Sequence, residues 1–312
     1  MIVVLAGGVG AARFLEGLVQ VVAPEEITAI VNTGDDFSLY GLHIAPDLDI
    51  VTCTLAGVID QAQGWGIAGD TEECLTWLGK LGGPTWFKLG DRDLALHIRR
   101  TELLRAGATL AEVADSFRRA LGVRVNILPM SNDPVATYIE TPAGAIHFEN
   151  YLVERRAQDE VLGVEFRGAD TARPAPGVLE AIRSAQAVLI APSNPIVSVG
   201  TILAVPGIRE AIEHTSAPVV AVSPIVAGAP IKGPAAPLMR ALGYEVSALG
   251  VARCYRGLVD TLVIDRVDAA LADRIRAFGM QVVVTDTIMR GPEEKRELAA
   301  QTLGAARELS AS

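Results

Sequence analysis

IVVLAGGVGAARFLEGLVQVV, residues 2–22, joins an apolar run, a glycine loop and an amphipathic run, the parts from which α/β sheets are built. The run at 2–6 predicts a fully buried strand, and 11–22 predicts the helix that follows it. Gly7, Gly8 and Gly10 let the backbone approach a phosphate closely and aim the amides of the helix at it. Counting from Gly8, Arg13 takes the third glycine position of a dinucleotide fingerprint. The loop therefore predicts nucleotide or phosphate binding, with a plain tight turn as the alternative.

The same alternation of short β-branched runs and longer amphipathic runs continues along the chain, as parallel sheets with crossover helices require. Strand patterns lie at 27–32, 123–129, 186–191, 218–223, 261–264 and 281–285, and two strands about a Pro-Ala-Gly turn lie at 136–153. Helical patterns lie at 71–80, 94–106, 109–121, 176–185, 206–214, 234–242, 268–278 and 292–309. Asp93 is expected to cap the helix at 94–106.

These elements predict an α/β fold with a Rossmann-like open, mostly parallel sheet flanked by helices, and an additional smaller, mostly helical lobe. We expect the nucleotide- or phosphate-binding core to comprise residues 1–90 and 166–312. The inserted lobe would comprise residues 91–165.

The composition excludes several classes of protein. Half of the 312 residues are hydrophobic and 21% are charged, which excludes a disordered chain, and the net charge of −10 argues against non-specific nucleic-acid binding. The three cysteines form no CxxC pair, the start lacks the basic region of a signal peptide, and prolines interrupt the longest apolar stretch. We expect a cytoplasmic protein that does not engage a membrane and that forms a homodimer.

Four carboxylates, Asp35, Asp36, Asp47 and Asp49, lie within NTGDDFSLYGLHIAPDLD, residues 32–49. Two unpaired carboxylates about 4 Å apart repel each other by roughly 4 kcal/mol at an effective dielectric constant near 20. A bound divalent cation reverses that sign, and oxygen ligands suit Mg²⁺ or Ca²⁺. Asp35, Asp36 and Asp47 are the predicted metal ligands, with a solvated acidic loop as the alternative.

Three further loops follow predicted strands or precede predicted helices. FKLGDRD, residues 87–93, brings together Lys88 and Asp91, and APSNPIVSVG, residues 191–200, offers Ser193 and Asn194 to a phosphate or carboxylate. Lys232, in the loop 223–235, is a weaker candidate for a phosphate contact. Turn and cap chemistry would produce similar loops. The sequence contains no Walker A motif, no GxSxG elbow and no metal-ligand spacing among its four histidines.

Eight motifs, in order along nearly the whole chain, carry a resemblance to one family: VLAGGVGAARFLEGL, NTGDD, PDLDI, GWGIAGDT, KLGDRDLALHI, RVNILPMSNDPVATYIET, APSNPIVSVGTILAVPGIREA and SPIVAGAPIKGPA. In these motifs the chain resembles the 2-phospho-L-lactate transferase family. The resemblance implies transfer of a phospho-lactyl group from lactyl-2-diphospho-5'-guanosine to the terminal ribityl hydroxyl of a deazaflavin alcohol (FO, 7,8-didemethyl-8-hydroxy-5-deazariboflavin). GMP is released, Mg²⁺ is required, and the product belongs to coenzyme F(420) biosynthesis.

The resemblance also implies roles for residues. It places the deazaflavin near Asp49 and Lys88, and the guanosine diphosphate along the glycine loop and the loops of the second half. A carboxylate would accept the hydroxyl proton, an effect typically worth about 10²–10⁴-fold. The catalytic candidates are Asp49, Asp36 and Asp91, and Asp49 is favoured.

Several alternatives remain open at this stage. Related enzymes accept enolpyruvyl or glyceryl analogues, and no residue decides the donor acid. Some relatives carry a tryptophan shortly after the acidic pair, where this chain has Phe37, Leu39 and Tyr40. A non-catalytic nucleotide-sugar-binding regulator of the YvcK type is the main rival, and an NAD(P) oxidoreductase is a third possibility that Arg13 disfavours.

Overall fold

The strands form where short runs of Val, Ile, Leu and Ala are apolar on both faces, as strands buried between two helical layers require. A computed structural model describes residues 1–310. Its strands are β1 (Ile2–Ala6), β2 (Ile27–Val31), β3 (Phe37–Leu39), β4 (Leu42–Ile44), β5 (Asn126–Pro129), β6 (Ala136–Thr141), β7 (Gly144–His147), β8 (Gly163–Arg167), β9 (Ala187–Ile190), β10 (Val219–Val222), β11 (Ile225–Val226), β12 (Ala229–Pro230), β13 (Thr261–Asp265) and β14 (Gln281–Thr285). Every residue of β1, β2, β9, β10 and β13 is buried.

The helices alternate with these strands. They are α1 (Gly8–Leu18), α2 (Pro46–Leu55), α3 (Glu73–Lys80), α4 (Asp91–Arg105), α5 (Leu110–Ala120), α6 (Val178–Arg183), α7 (Val199–Ala204), α8 (Ile208–Glu213), α9 (Ala235–Ala241), α10 (Ala248–Cys254), α11 (Ala272–Arg276) and α12 (Pro292–Ser310). Short 3₁₀ segments span Pro24–Glu26 and Arg266–Leu271, and a π-helical turn spans Asn150–Glu154.

Seven strands form one parallel sheet in the order β14–β13–β10–β9–β1–β2–β5. Leu5 pairs with Ile30 of β2 and with Ile190 of β9, so the carboxyl ends of the three strands lie side by side. The chain builds the sheet outward in opposite directions from β1 and β9, which makes the crevice between them a topological switch point. Open α/β sheets bind ligands there. The predicted Rossmann-like α/β fold is confirmed.

The two faces of the sheet carry separate parts of the core, because successive side chains of a strand point to opposite faces. Val4 and Ala6 pack on one face with Leu15 of α1 and Leu298 of α12. Val3 and Leu5 pack on the other face with residues of α6 to α11. The glycine loop therefore leaves a strand that is fixed on both sides.

Two helices, α1 and α4, have boundaries that differ from those predicted by the sequence patterns. α1 begins at Gly8, inside the glycine loop, and ends at Leu18. α4 begins at Asp91 with Gly90 as its N-cap, so Asp93 does cap this helix, but from the N3 position of a capping box and not from the residue before the helix. Asp93 lies in the first turn, where its carboxylate accepts the Gly90 N–H at 3.2 Å.

Within the acidic stretch, the structure forms elements that were not predicted. Phe37–Leu39 and Leu42–Ile44 form the hairpin β3–β4, and Pro46 starts α2 as a first-turn proline. The strands of this hairpin have only three residues each, too few to show the two-residue alternation of a strand among the aspartates of this segment. Asp47 and Asp49 therefore lie on the first turn of a helix rather than in a loop.

The segment 91–165 is mixed in its secondary structure. It contributes the helices α4 and α5, the strands β6 and β7 of a small antiparallel sheet with β8, and β5, which is an edge strand of the main sheet. Its treatment as an inserted lobe remains a prediction. Among residues 1–310, no helix is both long and apolar enough to cross a membrane.

Candidate active site

A cavity of about 850 Å³ lies at the carboxyl edge of the main sheet, formed by the loops that follow its strands. Ten of the twelve predicted site residues line it: Gly7, Gly8, Gly10, Asp35, Asp47, Asp49, Lys88, Ser193, Asn194 and Lys232. Asp36 and Asp91 do not. One part of the wall is apolar and aromatic, with Trp65, Phe87 and Phe148 among its residues. A volume of this size with a few convergent polar groups is typical of a small-molecule site.

The glycine loop enters the cavity under tight packing. Gly8 has a φ of +69°, which few residues other than glycine adopt without strain. A side chain at Gly10 would overlap the backbone carbonyl of Pro192, in the loop after β9. The loop is therefore held against its neighbour while the first turn of α1 faces the cavity, an arrangement that suits an anion.

The side chains of Ser193 and Asn194 form hydrogen bonds with backbone groups. The buried Ser193 hydroxyl donates to the Gly7 carbonyl at 2.9 Å and accepts the Gly7 N–H at 3.2 Å. Asn194 Oδ1 accepts the Ile196 N–H at 2.9 Å. The Ser193 contacts fix the loop after β9 to the glycine loop, and the Asn194 contact lies within the loop after β9. Binding of a phosphate by these two residues remains a prediction.

Three buried carboxyl groups line the same wall. Asp35, Asp47 and Glu149 are each about 95% buried, and Asp35 Oδ1 has no hydrogen-bond partner among the described residues. Burial, and then the neighbouring Asp47 and Glu149, hold the pKa of Asp35 well above its usual range. Burial also raises the pKa of Asp47 to about 7 and that of Glu149 to about 8.

Asp47 is the carboxylate that lies next to the glycine loop. Its Oδ2 accepts from Asn32 Nδ2 at 3.0 Å, and a side chain at Gly7 would come within 3.0 Å of the same oxygen, so the carboxylate lies against the glycine loop. Because Asn32 follows β2 and Gly7 follows β1, Asp47 connects the ends of two neighbouring strands. A ligand on the glycine loop would therefore lie next to this carboxylate.

Asp35 and Asp47 fit a magnesium ion, although no three His, Cys, Asp or Glu side chains of residues 1–310 already converge as a metal site. Mg²⁺ in phosphate-handling sites takes one or two carboxylates, keeps several waters and completes its shell with substrate phosphates. The unpartnered Oδ1 of Asp35 and the raised pKa values describe carboxylates that lack a positive partner. Asp36 differs, because its Oδ2 lies 2.9 Å from His43 Nε2 and it does not line the cavity.

Asp49 lies two residues after Asp47, on the same helical turn, and is paired with a buried arginine. Arg100 of α4 donates to Asp49 Oδ1, to the His43 carbonyl at 3.1 Å and to His97 Nδ1 at 3.1 Å. Asp49 and His97 both line the cavity. Burial lowers the pKa of His97 to about 4, so its imidazole is neutral near pH 7.

Lys88 and Asp91 separate in the structure. Lys88 lines the cavity, forms an ion pair with Glu72 at 2.7 Å and lies over the Trp65 ring at 5.6 Å. The Asp91 carboxylate instead accepts the N–H groups of Glu73 and Cys74, at 3.1 and 3.0 Å, at the start of α3. That contact gives Asp91 a capping role and places no part of it in the cavity wall.

Several aromatic side chains lie near the site, and some of them could stack on the ring of a planar ligand. Phe37, in the segment where some relatives have tryptophan, packs against Trp86 and Phe87 at centroid distances of 5.7 and 4.9 Å and does not line the cavity. Trp65 and Phe87 do line it. Together with Phe148, which also lines the cavity, these two rings are the aromatic side chains that the described structure offers to a planar ligand.

Two cations stand near the glycine loop. Lys232 Nζ donates to the Gln63 carbonyl at 2.8 Å, and burial followed by the neighbouring Arg13 lowers the pKa of Lys232. A side chain at Gly64 would come within 3.7 Å of Arg13 and 3.5 Å of Lys232. Both side chains line the cavity, so the pair adds positive charge that suits a phosphate.

Sequence reasoning missed five residues that the site uses: Arg13 as a cation, Trp65, His97, Arg100 and Glu149. His97 and Arg100 are spaced three apart on the helix that follows the LGDRD motif, and that helical spacing is the signal that could have found them. Glu149 offered no such signal, because it reaches the site from a segment that is distant in sequence.

Comparisons with known proteins agree over the whole chain. Residues 2–303 match the family model described as 2-phospho-L-lactate transferase CofD. A phosphoenolpyruvate transferase of Streptomyces griseus is 46% identical over 99% of both chains. A 2-phospho-L-lactate transferase of Methanosarcina acetivorans is 42% identical over 97% of this chain and 98% of the relative.

A solved structure supports the fold alone. A protein member of the UPF0052 family from Bacillus halodurans superposes with a TM-score of 0.63 at 19% identity, over 97% of this chain and 98% of that chain.

Proposed function

The chain belongs to the 2-phospho-L-lactate transferase family, and from that premise we propose that it transfers a phospho-acid group from a guanosine diphosphate-linked donor to the deazaflavin alcohol FO, in coenzyme F(420) biosynthesis. The ribityl hydroxyl oxygen forms a bond to the phosphorus that carries the acid. The bond from that phosphorus to the bridging oxygen breaks, and GMP leaves with that oxygen. The hydroxyl proton passes to a carboxylate.

The observation that carries this proposal is the meeting of the buried carboxylates with the glycine loop. Asp35 and Asp47 line the cavity at the switch point of the sheet, and Asp47 lies against Gly7 of the glycine loop. Displacement at a diphosphate needs positioning and neutralisation of charge more than covalent chemistry. Mg²⁺ held by Asp35 and Asp47 would neutralise the diphosphate oxygens and favour departure of the leaving group.

The protein side chains supply the rest. The first turn of α1 faces the phosphates with its dipole and N–H groups, and Arg13 and Lys232 add positive charge at the same end. Asp49 accepts the hydroxyl proton, and Lys88 and Trp65 contact the deazaflavin. The apolar wall excludes water that would otherwise compete with the hydroxyl for phosphorus. Asp91 has no part in this arrangement.

Turnover tests the proposal directly. Protein, Mg²⁺, FO and a guanylated phospho-acid should give a heavier and more anionic deazaflavin by mass spectrometry, together with GMP. Lactyl, enolpyruvyl and glyceryl donors are assayed in parallel. We expect faster turnover with the enolpyruvyl donor, because relatives named phosphoenolpyruvate transferase are 45–46% identical and those named 2-phospho-L-lactate transferase are 39–43% identical. A protein that gives no product with any donor but binds a sugar nucleotide tightly would instead be a regulator.

A further inference from the structure

Arg100 is a cation that no motif of the sequence singled out, and it is only 2% exposed. Its side chain reaches three elements: the carboxylate of Asp49 on α2, the carbonyl of His43 in β4, and the ring of His97 one turn earlier on α4. A buried guanidinium is costly unless its N–H groups are paired, and the planar fork of arginine can pair with several acceptors at once. The network therefore constrains where Asp49 and His97 lie.

The contact with Arg100 also decides which nitrogen of His97 carries the proton. Arginine only donates hydrogen bonds, so His97 Nδ1, 3.1 Å from the guanidinium, must be the acceptor. The neutral ring then holds its proton on Nε2. Asp49 Oδ2 lies 3.6 Å from Nδ1, too far for a hydrogen bond, and has no partner among the described residues.

Asp49 has a buried oxygen that is not satisfied inside the protein, and His97 Nε2 is a second polar atom in the cavity wall that is available to a ligand. His97 is 5% exposed and lines the cavity, and no hydrogen bond from its Nε2 to another described residue is formed. Asp49, in the same wall, keeps an oxygen without a partner. A buried polar group without a partner is uncommon and points to a ligand that completes it.

We propose that Arg100 is a positioning residue that fixes Asp49 as a hydrogen-bond acceptor and His97 as an Nε2–H donor, and that the two together bind a polyhydroxylated chain of the acceptor alcohol. A hydroxyl can both donate to Asp49 and accept from His97, which a chain with several hydroxyls satisfies better than an apolar one. In the transfer step, the hydroxyl proton passes to Asp49 as the oxygen bonds to phosphorus. This inference rests on the proposed function.

Substitutions of His97 separate the two contacts of the ring. In His97→Asn the side-chain oxygen replaces Nδ1 as the acceptor for Arg100, but no donor takes the place of Nε2–H. The KM for the alcohol should rise about 5- to 10-fold, the typical effect of one lost hydrogen bond, while the KM for the donor stays the same. His97→Gln carries its amide nitrogen further out and should recover most of that loss. His214→Asn, at a surface histidine, is the matched control.

Substitution of Arg100 tests the positioning role. Lysine in Arg100→Lys keeps the charge but cannot make the planar set of contacts, so kcat should fall about 10²-fold. If Arg100 acts by positioning Asp49, the fall in kcat should depend on Asp49. In an Asp49→Asn background, Arg100→Lys should therefore lower kcat only slightly further. A merely structural role would lower kcat by the same factor in both backgrounds.

Nitrogen NMR of the four histidines tests the tautomer without any turnover. The His97 signals, identified by their loss in His97→Asn, should show a protonated Nε2 and an unprotonated Nδ1 at pH 7. A protonated Nδ1 would overturn the inference even if Arg100→Lys does not fold. An alcohol KM in His97→Asn equal to that of the wild type would also overturn it. Absence of turnover in the wild-type protein with every donor would instead defeat the proposed function and leave the tautomer result standing.

Discussion

Asp35 carries a charge that the fold does not neutralise. It is 4% exposed, its Oδ1 has no hydrogen-bond partner among the described residues, and burial with the nearby Asp47 raises its pKa. A carboxyl group whose pKa is higher in the folded state favours folding at low pH, and that contribution is lost as the pH rises through the folded pKa. Ionised Asp35 therefore destabilises the protein unless a cation is present.

Asp35→Asn should make the protein more stable and less active. With a chelator at pH 8, we expect the free energy of unfolding to rise by about 1 kcal/mol, since the amide removes a repelling charge of similar shape. The gain should shrink towards pH 4, where the wild-type carboxyl is protonated. Turnover with Mg²⁺ should fall by about 10²-fold or more because a metal ligand is lost. Thermal denaturation at both pH values and the turnover assay measure these effects.

Asp170→Asn provides the control for this substitution, because Asp170 is exposed and lies outside the cavity wall. It changes the net charge equally and should alter neither stability nor turnover. If Asp35→Asn is no more stable than the wild type in chelator at pH 8, the carboxylate is not strained by burial as described.

Residues of the site were foreseeable where a motif followed a predicted strand, as for Gly7, Asp35 and Ser193. Their partners were not. Ser193 forms hydrogen bonds with Gly7 across 186 positions of sequence, so the side chain that was expected to contact phosphate also joins two loops. Spacing along the chain identifies which groups reach the end of the sheet, but the contacts among them depend on the packing of distant segments.

At the scale of elements, Asp91 illustrates how one carboxylate can serve two adjoining helices. It is the first residue of α4, and it accepts two N–H groups from the first turn of α3 together with the Thr71 hydroxyl at 2.5 Å. Unpaired N–H groups at a helix start are satisfied by such acceptors. Aspartate serves both as a helix cap and as a catalytic base, so the sequence alone could not show which of these roles Asp91 has.

Asp91→Ala should lower the midpoint of thermal unfolding, because the first turn of α3 loses its acceptor, and should leave kcat close to that of the wild type. Asp91→Asn keeps one acceptor oxygen, so its stability should lie between that of Asp91→Ala and that of the wild type. Thermal denaturation and the turnover assay again provide the measurement. A large loss of kcat in both variants at unchanged stability would return Asp91 to the catalytic role that the sequence suggested.

The contact between α1 and α12 holds the helix that follows the glycine loop. A side chain at Gly17 would overlap the backbone carbonyl of Lys295, and the Lys295 ammonium is paired with Glu16 at 2.6 Å. Lys295 is 5% exposed, so its ammonium is largely removed from water, while the Glu16 side chain remains partly exposed. The backbones of the two helices can approach this closely only because position 17 has no side chain.

Gly17→Ala should reduce the free energy of unfolding by about 1–3 kcal/mol, because the helices must separate to admit the methyl group. Gly304→Ala is the matched control, since a side chain at Gly304 in α12 would meet nothing within 4 Å. That change should stabilise the protein by about 1 kcal/mol through helix propensity. Denaturant unfolding of both variants checks the pair, and equal effects in the same direction would contradict the close approach.

At the scale of the whole molecule, the sequence predicted the sheet better than its surroundings. Runs such as those of β1 and β9 are apolar on both faces, and burial between two layers leaves little choice of structure. Short elements such as α7, with six residues, and the hairpin β3–β4 escaped, because so few residues carry no clear period. The hairpin contributes only Ile44 to the cavity wall, and most of the wall comes from the loops after the strands of the main sheet, so the position of the site was predictable although these short elements were not.

The topology itself predicts coupling between metal and nucleotide. Asp47 lies next to the glycine loop. A cation bound by Asp35 and Asp47 would therefore be in contact with a diphosphate bound by the loop. Each should then strengthen the binding of the other by the same factor, because coupling between two ligands is reciprocal. At 100 times its dissociation constant, a ligand adds about 2.7 kcal/mol to the stability of the folded state.

GDP should therefore raise the midpoint of thermal unfolding strongly in the presence of Mg²⁺ and weakly in chelator, and calorimetry should show tighter Mg²⁺ binding when GDP is present. In Asp47→Asn, which keeps the shape of the side chain but loses the charge, GDP should still bind while its dependence on Mg²⁺ disappears. Asp170→Asn should behave like the wild type. A shift produced by GDP that is equal with and without Mg²⁺ would mean that the carboxylates and the glycine loop do not form one site, and the charge of Asp35 and Asp47 would need another partner.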